Sequence, residues 1–377
     1  MPLPLGLPHR QWSKKHVPKA SLGRWFGGGG QKSKPNLQSQ KSKPNLHPQD
    51  QVATALIHAV GNTNLSVRRE EGMGRGVFTT LPVLPGATVA RSALVIDARW
   101  ALESAYCHSI DAGPDEDPYA VLCVFLYKFL HCSSREVRDA EPMALSHYRE
   151  VLSEDTSSSV LEWTDGDVDM LLGSHLHIIA NDLRRTGEAT IQAANHLLGG
   201  DKDPEELRRC LSILLTRLVR LDDGTVALVP GLDLMNHSST SRSYIVGTRE
   251  GVKVVNRGFL PLAKGDQVFI SYGGKTNGEL FISYGFIPEQ NPHDGVLVPL
   301  DGGETVVLGV DGGVRLVGSE RGIDRDRVRV ELKRRVRRQL EAMMVADRDL
   351  TSLQGAVSVQ DLLASERKML SRALMSL

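Results

Sequence analysis

The chain has 377 residues, of which 41% are hydrophobic and 24% are charged, and its formal net charge at neutral pH is zero. This composition is typical of a globular protein with enough residues for a sizeable core or two domains. A balanced charge gives no sign of a nucleic-acid partner, and no stretch approaches the roughly 18 consecutive apolar residues of a membrane span. We therefore expect a soluble monomer that binds neither nucleic acid nor membranes.

The four cysteines, Cys107, Cys123, Cys132 and Cys210, are scattered along the chain without any C-x-x-C pair. This spacing argues against a zinc knuckle and against the disulfide framework of a secreted protein. We expect no bound metal and a reducing compartment, which favours the cytoplasm or the nucleus.

The first 49 residues differ in composition from the rest of the chain. The heptapeptide QKSKPNL occurs twice, beginning at Gln31 and at Gln40, and no acidic residue precedes Asp50. Such a Lys-, Pro-, Ser- and Gln-rich segment cannot bury enough apolar surface to fold. We predict that residues 1–49 form a disordered basic tail. It is either a solvated tail without a targeting signal, a nuclear-type basic tail, or an organelle transit segment for a chloroplast or mitochondrion.

The folded part is expected from Ala53 onward and opens with a small β unit. Two β-rich runs, 77–80 and 88–96, are separated by turn residues that include two prolines. Short runs of this kind bounded by Pro and Gly are typical of strands joined by turns.

A mainly helical region follows. The segment DPYAVLCVFLYKFLHC is apolar on nearly every side, and Asp117 precedes Pro118 in the manner of an N-cap followed by a first-turn proline. Further helical patterns cover residues 143–152, 165–181, 189–198 and 204–221. We therefore predict a helical insertion at about 117–215 between two β-rich regions.

Strands return after Val226. In QVFISYGG, the side chains of Val268, Ile270 and Tyr272 share one face by period-two alternation. Residues 325–377 have helical patterns again, and the Arg/Lys-rich stretch 325–340 is either a solvated helix face or a surface for an acidic partner.

The segment LVPGLDLMNHSS, residues 228–239, carries polar residues in a run that is otherwise apolar. Asp233, Asn236 and His237 stand among Leu, Val and Met. A buried polar group without a partner costs roughly 1–3 kcal/mol, so these side chains require either protein partners or a ligand. For Asp233, anchoring of the local turn and contact with a ligand are both consistent with the sequence.

Three motifs occur in order along the chain: EGMGRGVFTT at 71–80, LVPGLDLMNHSS, and KGDQVFISYGGKTNGELFISYGF at 264–286. In this order, with the helical insertion between the first two, the chain resembles the SET-domain methyltransferases, most closely the Rubisco large-subunit methyltransferase-like branch. The resemblance covers about 53–298. It implies an α+β fold of SET-domain β-sheets with a knot-like strand crossing and a helical insertion. Residues 299–377 would then be a reduced, helical, substrate-binding-like region.

The resemblance also implies S-adenosyl-L-methionine as cofactor, and it assigns roles to eight residues. Glu71 and Met73 are expected to make main-chain contacts to the cofactor, and Arg217 is expected to contact its carboxylate. Asn236 and His237 would contact its amino group and adenine edge, and Phe286 would stack on the adenine. Tyr272 would be the catalytic tyrosine and Tyr284 the second tyrosine of the site. These residue types supply what such a cofactor needs, namely close backbone approach, a planar cation for a carboxylate, amides and aromatic faces.

Simpler interpretations of these residues stay open at this point. The glycine-rich motif could be an ordinary turn between strands, and Arg217 in LTRLVR, after Thr216, could face solvent from a helix. Tyr284 and Phe286 could be core aromatics.

The activity implied by the resemblance is methyl transfer to a lysine of a non-histone protein. Methyl transfer requires a neutral amine, which the phenol of Tyr272 could orient and which burial would favour by lowering the lysine pKa. The cysteine cluster that follows the SET domain in many histone methyltransferases is absent, and Val219 stands where relatives that methylate histidine carry Asn. The alternative is a catalytically weak SET-fold interaction module, because the region after Tyr284 is short for this branch.

Overall fold

A computed structural model describes residues 47–70, 73–113, 115–155, 159–301, 304–317, 324–345 and 356–377. Most of the predicted tail, residues 1–46, therefore lies outside the described residues. Helix α1, Pro48–Ala59, begins inside the predicted tail and carries Pro at its first turn. The described fold thus starts at Pro48, earlier than the Ala53 expected from the apolar pattern, because the first turn of α1 is polar.

The N-terminal β unit is a hairpin followed by a short strand. Strand β1, Leu65–Glu70, pairs antiparallel with β2, Gly74–Thr79, and β3 covers Thr88–Ser92. The predicted strand 88–96 is too long. It ends at Ser92 because the Ser92 hydroxyl accepts a hydrogen bond from Leu94 N–H and donates one to Leu94 O, which closes a turn.

The predicted helical insertion is present. Helix α2, Ala98–Glu103, precedes the predicted start at 117, and it is followed by α3 Pro118–Leu130, α4 Arg135–Asp139, α5 Met143–Ser153, α6 Asp165–Asp169, α7 His175–Leu197 and α8 Pro204–Arg217. The predicted N-cap is confirmed, since the Asp117 side chain accepts a hydrogen bond from Tyr119 N–H. Helix α3 is buried along most of its length, as its composition predicted.

Three predicted helix boundaries in this region are wrong. The gap predicted between 181 and 189 does not exist, because α7 continues from His175 to Leu197. A single helix over 165–181 is interrupted between Asp169 and His175, where Gly173 has a φ of +84° and a Cβ would meet the Cβ of Ala342 at 2.8 Å. The close approach of Ala342 therefore leaves room for no side chain at position 173, within this break. The helix predicted for 204–221 ends at Arg217, because the next residues pair as strand β4 Val219–Arg220 with β5 Val226–Ala227.

The second β region joins the first. Strands β6 Ser243–Thr248 and β7 Gly251–Asn256 form a sheet with β3 in the order β3-β7-β6, so both sides of the insertion contribute to one sheet. The segment that contains Val268 and Ile270 makes isolated bridges instead of a regular strand, one of them a parallel bridge between His237 and Ile270. Val268 and Ile270 are both buried, as the alternation predicted.

Helix α9, Asn277–Tyr284, follows and is capped at both ends. Thr276 and Glu279 form a capping box at its start, and Gly285 ends it in the left-handed region at φ 77°. The last turn of α9 therefore has a defined end at Tyr284. The class of the fold is α+β, as predicted, whereas the knot-like crossing stays a prediction.

The C-terminal region contains both strands and helices. Strands β8 Gly295–Pro299, β9 Thr305–Gly309 and β10 Val314–Val317 form an antiparallel meander, and helices α10 Arg325–Val345 and α11 Ala356–Ser376 complete the chain. The helices were predicted and the meander was not. Leu332, Val336 and Leu370 belong to the same buried cluster as the β-sheets and the insertion. No described helix has the length and apolar character needed to cross a membrane.

Candidate active site

A cavity of ≈ 1080 Å³ opens where β2, the end of α8, the segment after Leu232 and the end of α9 meet. Every predicted site residue that the structure describes lines it: Met73, Arg217, Asn236, His237, Tyr272, Tyr284 and Phe286. Thr216 and Asp233 line it as well. Glu71 lies outside the described residues. Residues far apart in the sequence thus share one wall, and the volume is that of a small-molecule site.

Asn236 and His237 are held by backbone pairing with the segment that precedes Tyr272. The Asn236 carbonyl accepts from Ile270 N–H at 2.9 Å, and the Ile270 carbonyl accepts from Ser238 N–H at 3.0 Å. The Asn236 side chain donates to the carbonyl of Arg75 at 3.0 Å. These bonds explain how polar residues are tolerated in the apolar run 228–239, since their backbone and part of their side chains are paired within the protein.

The hydrogen bonds of His237 define its protonation. Its Nδ1 accepts from the backbone N–H of Tyr272 at 3.0 Å, so the proton resides on Nε2, which is 3.1 Å from the Ser239 hydroxyl. Burial lowers the pKa of His237, which favours this neutral tautomer. His237 therefore acts as a neutral support that fixes the backbone of Tyr272.

Tyr272 lies at the centre of an aromatic cluster. Its ring centroid is 4.9 Å from that of Tyr284, 5.2 Å from that of His237 and 6.3 Å from that of Phe286. The Tyr272 hydroxyl donates to the carbonyl of Met235 at 2.9 Å. Tyr284 and Phe286 line the cavity, so the interpretation of both as core aromatics is wrong.

Burial keeps both site tyrosines protonated. It raises the pKa of Tyr272 well above that of an ordinary phenol, and neighbouring Tyr284 adds to this effect. Burial likewise raises the pKa of Tyr284, to about 12. At neutral pH these side chains are hydrogen-bonding phenols and cannot serve as phenolate bases.

Arg217 faces the cavity but is ion-paired within the protein. Its Nε donates to Asp155 Oδ2 at 2.8 Å, its Nη2 contacts the same oxygen, and its Nη1 is 4.0 Å from Asp233 Oδ2. Burial acts to lower the pKa of Arg217, yet Asp155 and Asp233 outweigh it and the pKa is raised. With only 13% of its side chain exposed, Arg217 is not the solvent-facing helix residue that was the simpler interpretation.

Asp233 has a structural role that the sequence analysis left open. Its Oδ1 accepts from Gly231 N–H at 3.0 Å, and its Oδ2 accepts from the Tyr148 hydroxyl at 2.6 Å. Burial raises the Asp233 pKa to about 6 despite the opposing charge of Arg217. The carboxylate therefore anchors the turn and joins it to the helical insertion, while it also lines the cavity.

Sequence reasoning missed Arg75, which follows Gly74 in the first motif. It lines the cavity, and its Nη1 is buried without a hydrogen-bond partner. Burial lowers the Arg75 pKa, and the positive charges of Arg217 and Arg69 lower it further. The signal that could have identified Arg75 is its charge on strand β2, directly before residues that are buried.

Two glycines allow this strand to approach the site closely. Gly74 has a φ of +70°, and a Cβ on Gly76 would lie 2.2 Å from Gln267 Nε2 and 3.2 Å from Asn236 Nδ2. No side chain fits at Gly76 without displacing one of these amides. The motif is therefore more than an ordinary turn between strands.

The residues present fit a ligand that combines a flat ring, polar edges and an anionic group. Aromatic faces are available from the Tyr272 cluster, amide and imidazole groups from Asn236 and His237, and guanidinium groups from Arg75 and Arg217. Within the described part of the chain, no group of three or more His, Cys, Asp or Glu could hold a metal ion.

Comparison with known proteins gives partial sequence matches. No family model matches the chain. It is 36% identical over 91 residues to the human SET domain-containing protein 4, and 30% identical over 84 residues to the ribosomal lysine N-methyltransferase set11 of Schizosaccharomyces pombe. These segments are 24% and 21% of this chain. They span only 19% and 22% of the length of those relatives.

Comparison with solved structures covers much more of the molecule. The SET domain of LSMT bound to lysine and AdoHcy is similar over 88% of this chain and 91% of that chain, with a TM-score of 0.59 and 16% identity. Rubisco LSMT bound to AdoMet is similar over 88% and 92%, with a TM-score of 0.61 and 15% identity. The chain therefore has the SET-domain fold in the architecture of Rubisco LSMT.

Proposed function

We propose that the chain is an S-adenosyl-L-methionine-dependent protein-lysine N-methyltransferase that acts on a non-histone protein. The observation that carries the proposal is the convergence of Arg217, Asn236, His237, Tyr272 and Phe286 on one cavity within a SET fold. The names of similar proteins support it. The yeast relative is a ribosomal lysine N-methyltransferase, and the solved LSMT structures carry lysine with AdoHcy, or AdoMet.

The cofactor would be held by the wall that Met73, Arg217, Asn236 and His237 form, with Phe286 as the aromatic face. When bound, S-adenosylmethionine supplies an electrophilic methyl group on a sulfonium. The chain itself must then bring a neutral lysine amine to that methyl group in the correct direction and keep competing water away.

The Tyr272 hydroxyl is the group best placed to orient the amine. It is a partly buried phenol that lines the cavity, and it donates a hydrogen bond to the Met235 carbonyl at 2.9 Å. The phenol oxygen can still accept a hydrogen bond from an incoming amine, which would align the nitrogen lone pair.

The protein environment near Tyr272 also favours a neutral amine. Lys275, three residues further along the chain, is partly enclosed, and burial lowers its pKa. A substrate lysine that enters a comparably enclosed channel would lose its proton more readily for the same reason. The proton would leave to solvent before the amine reacts.

The alternative proposal, a catalytically weak interaction module, depended on the short C-terminal region. The similarity to the LSMT SET domain covers 91% of that chain, so little of its architecture lacks a counterpart here. This favours the enzyme.

A single assay separates the two proposals. The purified full-length chain is titrated with S-adenosylhomocysteine by calorimetry, and it is then incubated with tritiated S-adenosylmethionine and a proteome extract. We expect binding and a labelled protein whose digest contains methylated lysine. Cofactor binding without any labelled lysine would favour the interaction module, and absence of cofactor binding would contradict both proposals.

For compartment and assembly, we propose a monomer in the cytoplasm or nucleus, with an organelle as the alternative. All four cysteines are free thiols, which supports a reducing compartment. Fluorescent tagging of the intact chain and light scattering of the purified protein would test these two points.

A further inference from the structure

We infer that two neighbouring loops of the β region bind an anionic lipid surface. Loop 80–86 has the sequence TLPVLPG, and loop 257–264 has the sequence RGFLPLAK. Neither loop contributes to the cavity lining, and the proposed methyl transfer does not use them. The inference therefore goes beyond the proposed function. The expectation that the chain binds no membrane depended on the lack of an apolar span, which a peripheral attachment does not need.

The two loops expose large apolar side chains. Phe259 is 100% exposed, and Leu81, Leu84 and Leu260 are between 58% and 67% exposed. We call these four side chains the apolar tip. Single exposed apolar residues are common on protein surfaces, whereas a cluster of them on adjoining loops is typical of a surface that binds a protein or a membrane.

The loops are held side by side by backbone pairing and by one buried side chain. Val83 and Leu262 exchange two backbone hydrogen bonds, both of 2.9 Å. Asn256 is fully buried, and its side-chain amide donates to the Val83 carbonyl at 3.2 Å. The same amide lies 3.4 Å from the carbonyls of Leu84 and Leu260. The exposure of the apolar tip therefore belongs to a fixed arrangement of the two loops.

Four exposed cations lie where the loops join the rest of the β region, and we call them the cationic base: Arg68, Arg242, Arg257 and Lys264. Arg257 and Lys264 are the two ends of loop 257–264. Arg68 donates to the Gly265 carbonyl at 3.0 Å. Arg242 passes close to Gly258, since a Cβ there would lie 2.8 Å from Arg242 Cδ. Cations are thus present at both ends of the loop that carries Phe259.

The cationic base keeps a positive charge. Neither loop contains an acidic residue. The acid nearest to loop 257–264 in the sequence is Asp266, and its Oδ2 accepts from Ala263 N–H at 2.8 Å. One carboxylate beside four cations does not neutralise them. The apolar tip is therefore backed by positive charge.

The order of apolar and charged groups matches that of a membrane surface. An anionic bilayer presents its phosphates above an apolar interior. Side chains at the apolar tip could enter that interior while the cations behind them stay at the level of the phosphates. Binding of this kind gains both from buried apolar area and from attraction to anionic lipids.

The backbone of the loops also suits lipid better than a protein partner. Pro82, Pro85 and Pro261 have no backbone N–H, and the N–H groups of Val83 and Leu262 are paired with each other. A backbone polar group that enters lipid must be satisfied within the protein, because lipid offers no partner. Protein interfaces, in contrast, commonly use direct hydrogen bonds between the two chains. The loops offer few donors for such bonds.

The test is cosedimentation of the full-length chain with vesicles of two compositions. One is phosphatidylcholine alone, and the other is phosphatidylcholine mixed with phosphatidylserine. The tip variant is Phe259→Gln with Leu260→Gln, and the base variant is Arg257→Gln with Lys264→Gln. All four side chains are exposed, so neither variant disturbs the core. Melting temperature and S-adenosylhomocysteine affinity are measured for each protein and should stay at the parent values.

The two matched controls make the same chemical changes elsewhere on the surface. Met375→Gln removes an exposed apolar side chain near the end of α11. Arg337→Gln with Arg338→Gln removes two exposed cations from α10, which is the other basic surface that could attract an anionic vesicle. If the tip variant does not fold, Phe259→Ala alone gives the same comparison with a smaller loss.

We expect the parent to bind the phosphatidylserine vesicles more tightly than the neutral ones. The tip variant should bind the anionic vesicles about 100-fold more weakly, because each buried large apolar side chain contributes about 10-fold or more. The base variant should lose about 20-fold on anionic vesicles and less than about 2-fold on neutral ones. Both controls should bind like the parent.

Equal binding of the parent and the tip variant to anionic vesicles would overturn the inference. A loss with the α10 control and none with the base variant would assign the membrane contact to α10 and would also overturn it. If the parent binds neither kind of vesicle, the inference is wrong. Self-association of the parent in light scattering that the tip variant lacks would then assign the apolar tip to a protein contact between two copies.

Discussion

The cavity wall and the contact between the insertion and the C-terminal helices both bury ionised groups, and they satisfy them differently. We call the second region the C-terminal seam and define it as Ser174, His175, Gln339 and Glu366. In the seam, the Glu366 carboxylate accepts hydrogen bonds from the Ser174 hydroxyl, from His175 N–H and from the Gln339 amide. Its Oε2 also lies 2.9 Å from His175 Nδ1. In the cavity wall, Asp155 contacts Nε and Nη2 of Arg217, whereas Nη1 lies 4.0 Å from Asp233 Oδ2 and makes no hydrogen bond among the described residues.

The difference separates a stabilising site from a binding site. Glu366 is fully buried, and although burial acts to raise its pKa, the His175 charge and the hydrogen bonds lower it below the ordinary carboxyl value. The charge is thus stabilised by the fold itself. In the cavity the fold leaves one charge incompletely satisfied, and a ligand can complete it. A buried ionised group is therefore informative about function mainly when a donor or acceptor faces a cavity.

Removal of Glu366 should have the largest effect on stability. Glu366→Ala leaves the Ser174 hydroxyl, the His175 backbone N–H and the Gln339 amide without their acceptor, so we expect a loss of about 3–5 kcal/mol in the free energy of unfolding. The measurement is chemical denaturation followed by circular dichroism. The matched control is Glu103→Ala, which breaks the exposed pair with Arg99. That variant should change the free energy by less than about 0.5 kcal/mol.

The affinity of the Glu366→Ala variant for S-adenosylhomocysteine, measured at a temperature where it is folded, should stay near that of the parent. If affinity falls as much as stability, the seam and the cavity are one cooperative unit and the comparison between them fails. If both variants lose the same small amount of stability, the seam does not stabilise the fold in the way we describe.

Tyr272→Phe should have the largest effect on catalysis. The substitution removes one oxygen that is proposed to orient the amine, so we expect methyl transfer to fall by about 100-fold or more. Cofactor affinity should be unchanged, because the ring and its aromatic neighbours are kept. A turnover assay with an identified substrate and a calorimetric titration measure the two quantities. Full turnover by the variant would contradict the assignment of Tyr272 and would make Tyr284 the next residue to test.

The parts of the fold that depend on local signals could be predicted from the sequence. The Asp117 cap before Pro118 and the ends of the helix at 143–152 are set by nearby residues, and the structure agrees to within one residue. The α+β class and the SET architecture followed from ordered motifs. The seven described site residues line one cavity, and the roles assigned to them stay predictions.

The parts that depend on contacts between distant residues could not be predicted. Ala342, distant in the chain, leaves no room for a side chain at Gly173 in the break before His175, and the β8–β10 meander depends on pairing that no short motif encodes. The pairing of Arg217 with Asp155 is of the same kind. Whether an arginine is ion-paired within the protein is a tertiary property, so the sequence alone could not show that Asp155 contacts Arg217.

The pH dependence of stability sharpens the description of the seam. Burial acts to lower the His175 pKa, but Glu366 outweighs it, so the folded pKa lies above the ordinary value of 6.5. This stabilisation is complete below pH 6.5 and is lost as pH rises through the folded pKa. The Glu366 pKa is lowered from 4.5, so its contribution is present above pH 4.5 and is lost as pH falls through the folded value.

The pair should therefore stabilise the protein most between pH 4.5 and 6.5. We expect the difference in unfolding free energy between the parent and Glu366→Ala to be largest in this window. Above it, the difference should decline by at most about 1.4 kcal/mol per pH unit. Asp294 and Glu279 also act on His175, and because they are present in both proteins, the difference isolates Glu366. A difference that stays constant from pH 5 to pH 9, within experimental error, would mean that the pair is not ionised in the folded protein.

The smallest effects are expected from shortening the N-terminus. They test whether the first residues of α1 contribute to the stability of the fold and to the cavity wall. Removal of residues 1–46 should leave the melting temperature within about 1 °C, because that segment lacks the apolar content to pack. Removal of residues 1–49 also deletes Gln49, which accepts a hydrogen bond from Arg69 beside the cavity, and the His47 carbonyl, which caps the Asp50 N–H. A loss of about 1 kcal/mol in the free energy of unfolding would lower the melting temperature by about 2–4 °C.

The Arg69 side chain, released from Gln49, would also be free to alter the charge around Arg75. The longer truncation should therefore change S-adenosylhomocysteine affinity, while the shorter one should not. Scanning calorimetry and titration of both truncations against the full chain measure the two effects. A drop of several degrees with the shorter truncation would show that residues 1–46 are part of the fold. Identical behaviour of the two truncations would show that Gln49 contributes neither to stability nor to cofactor binding.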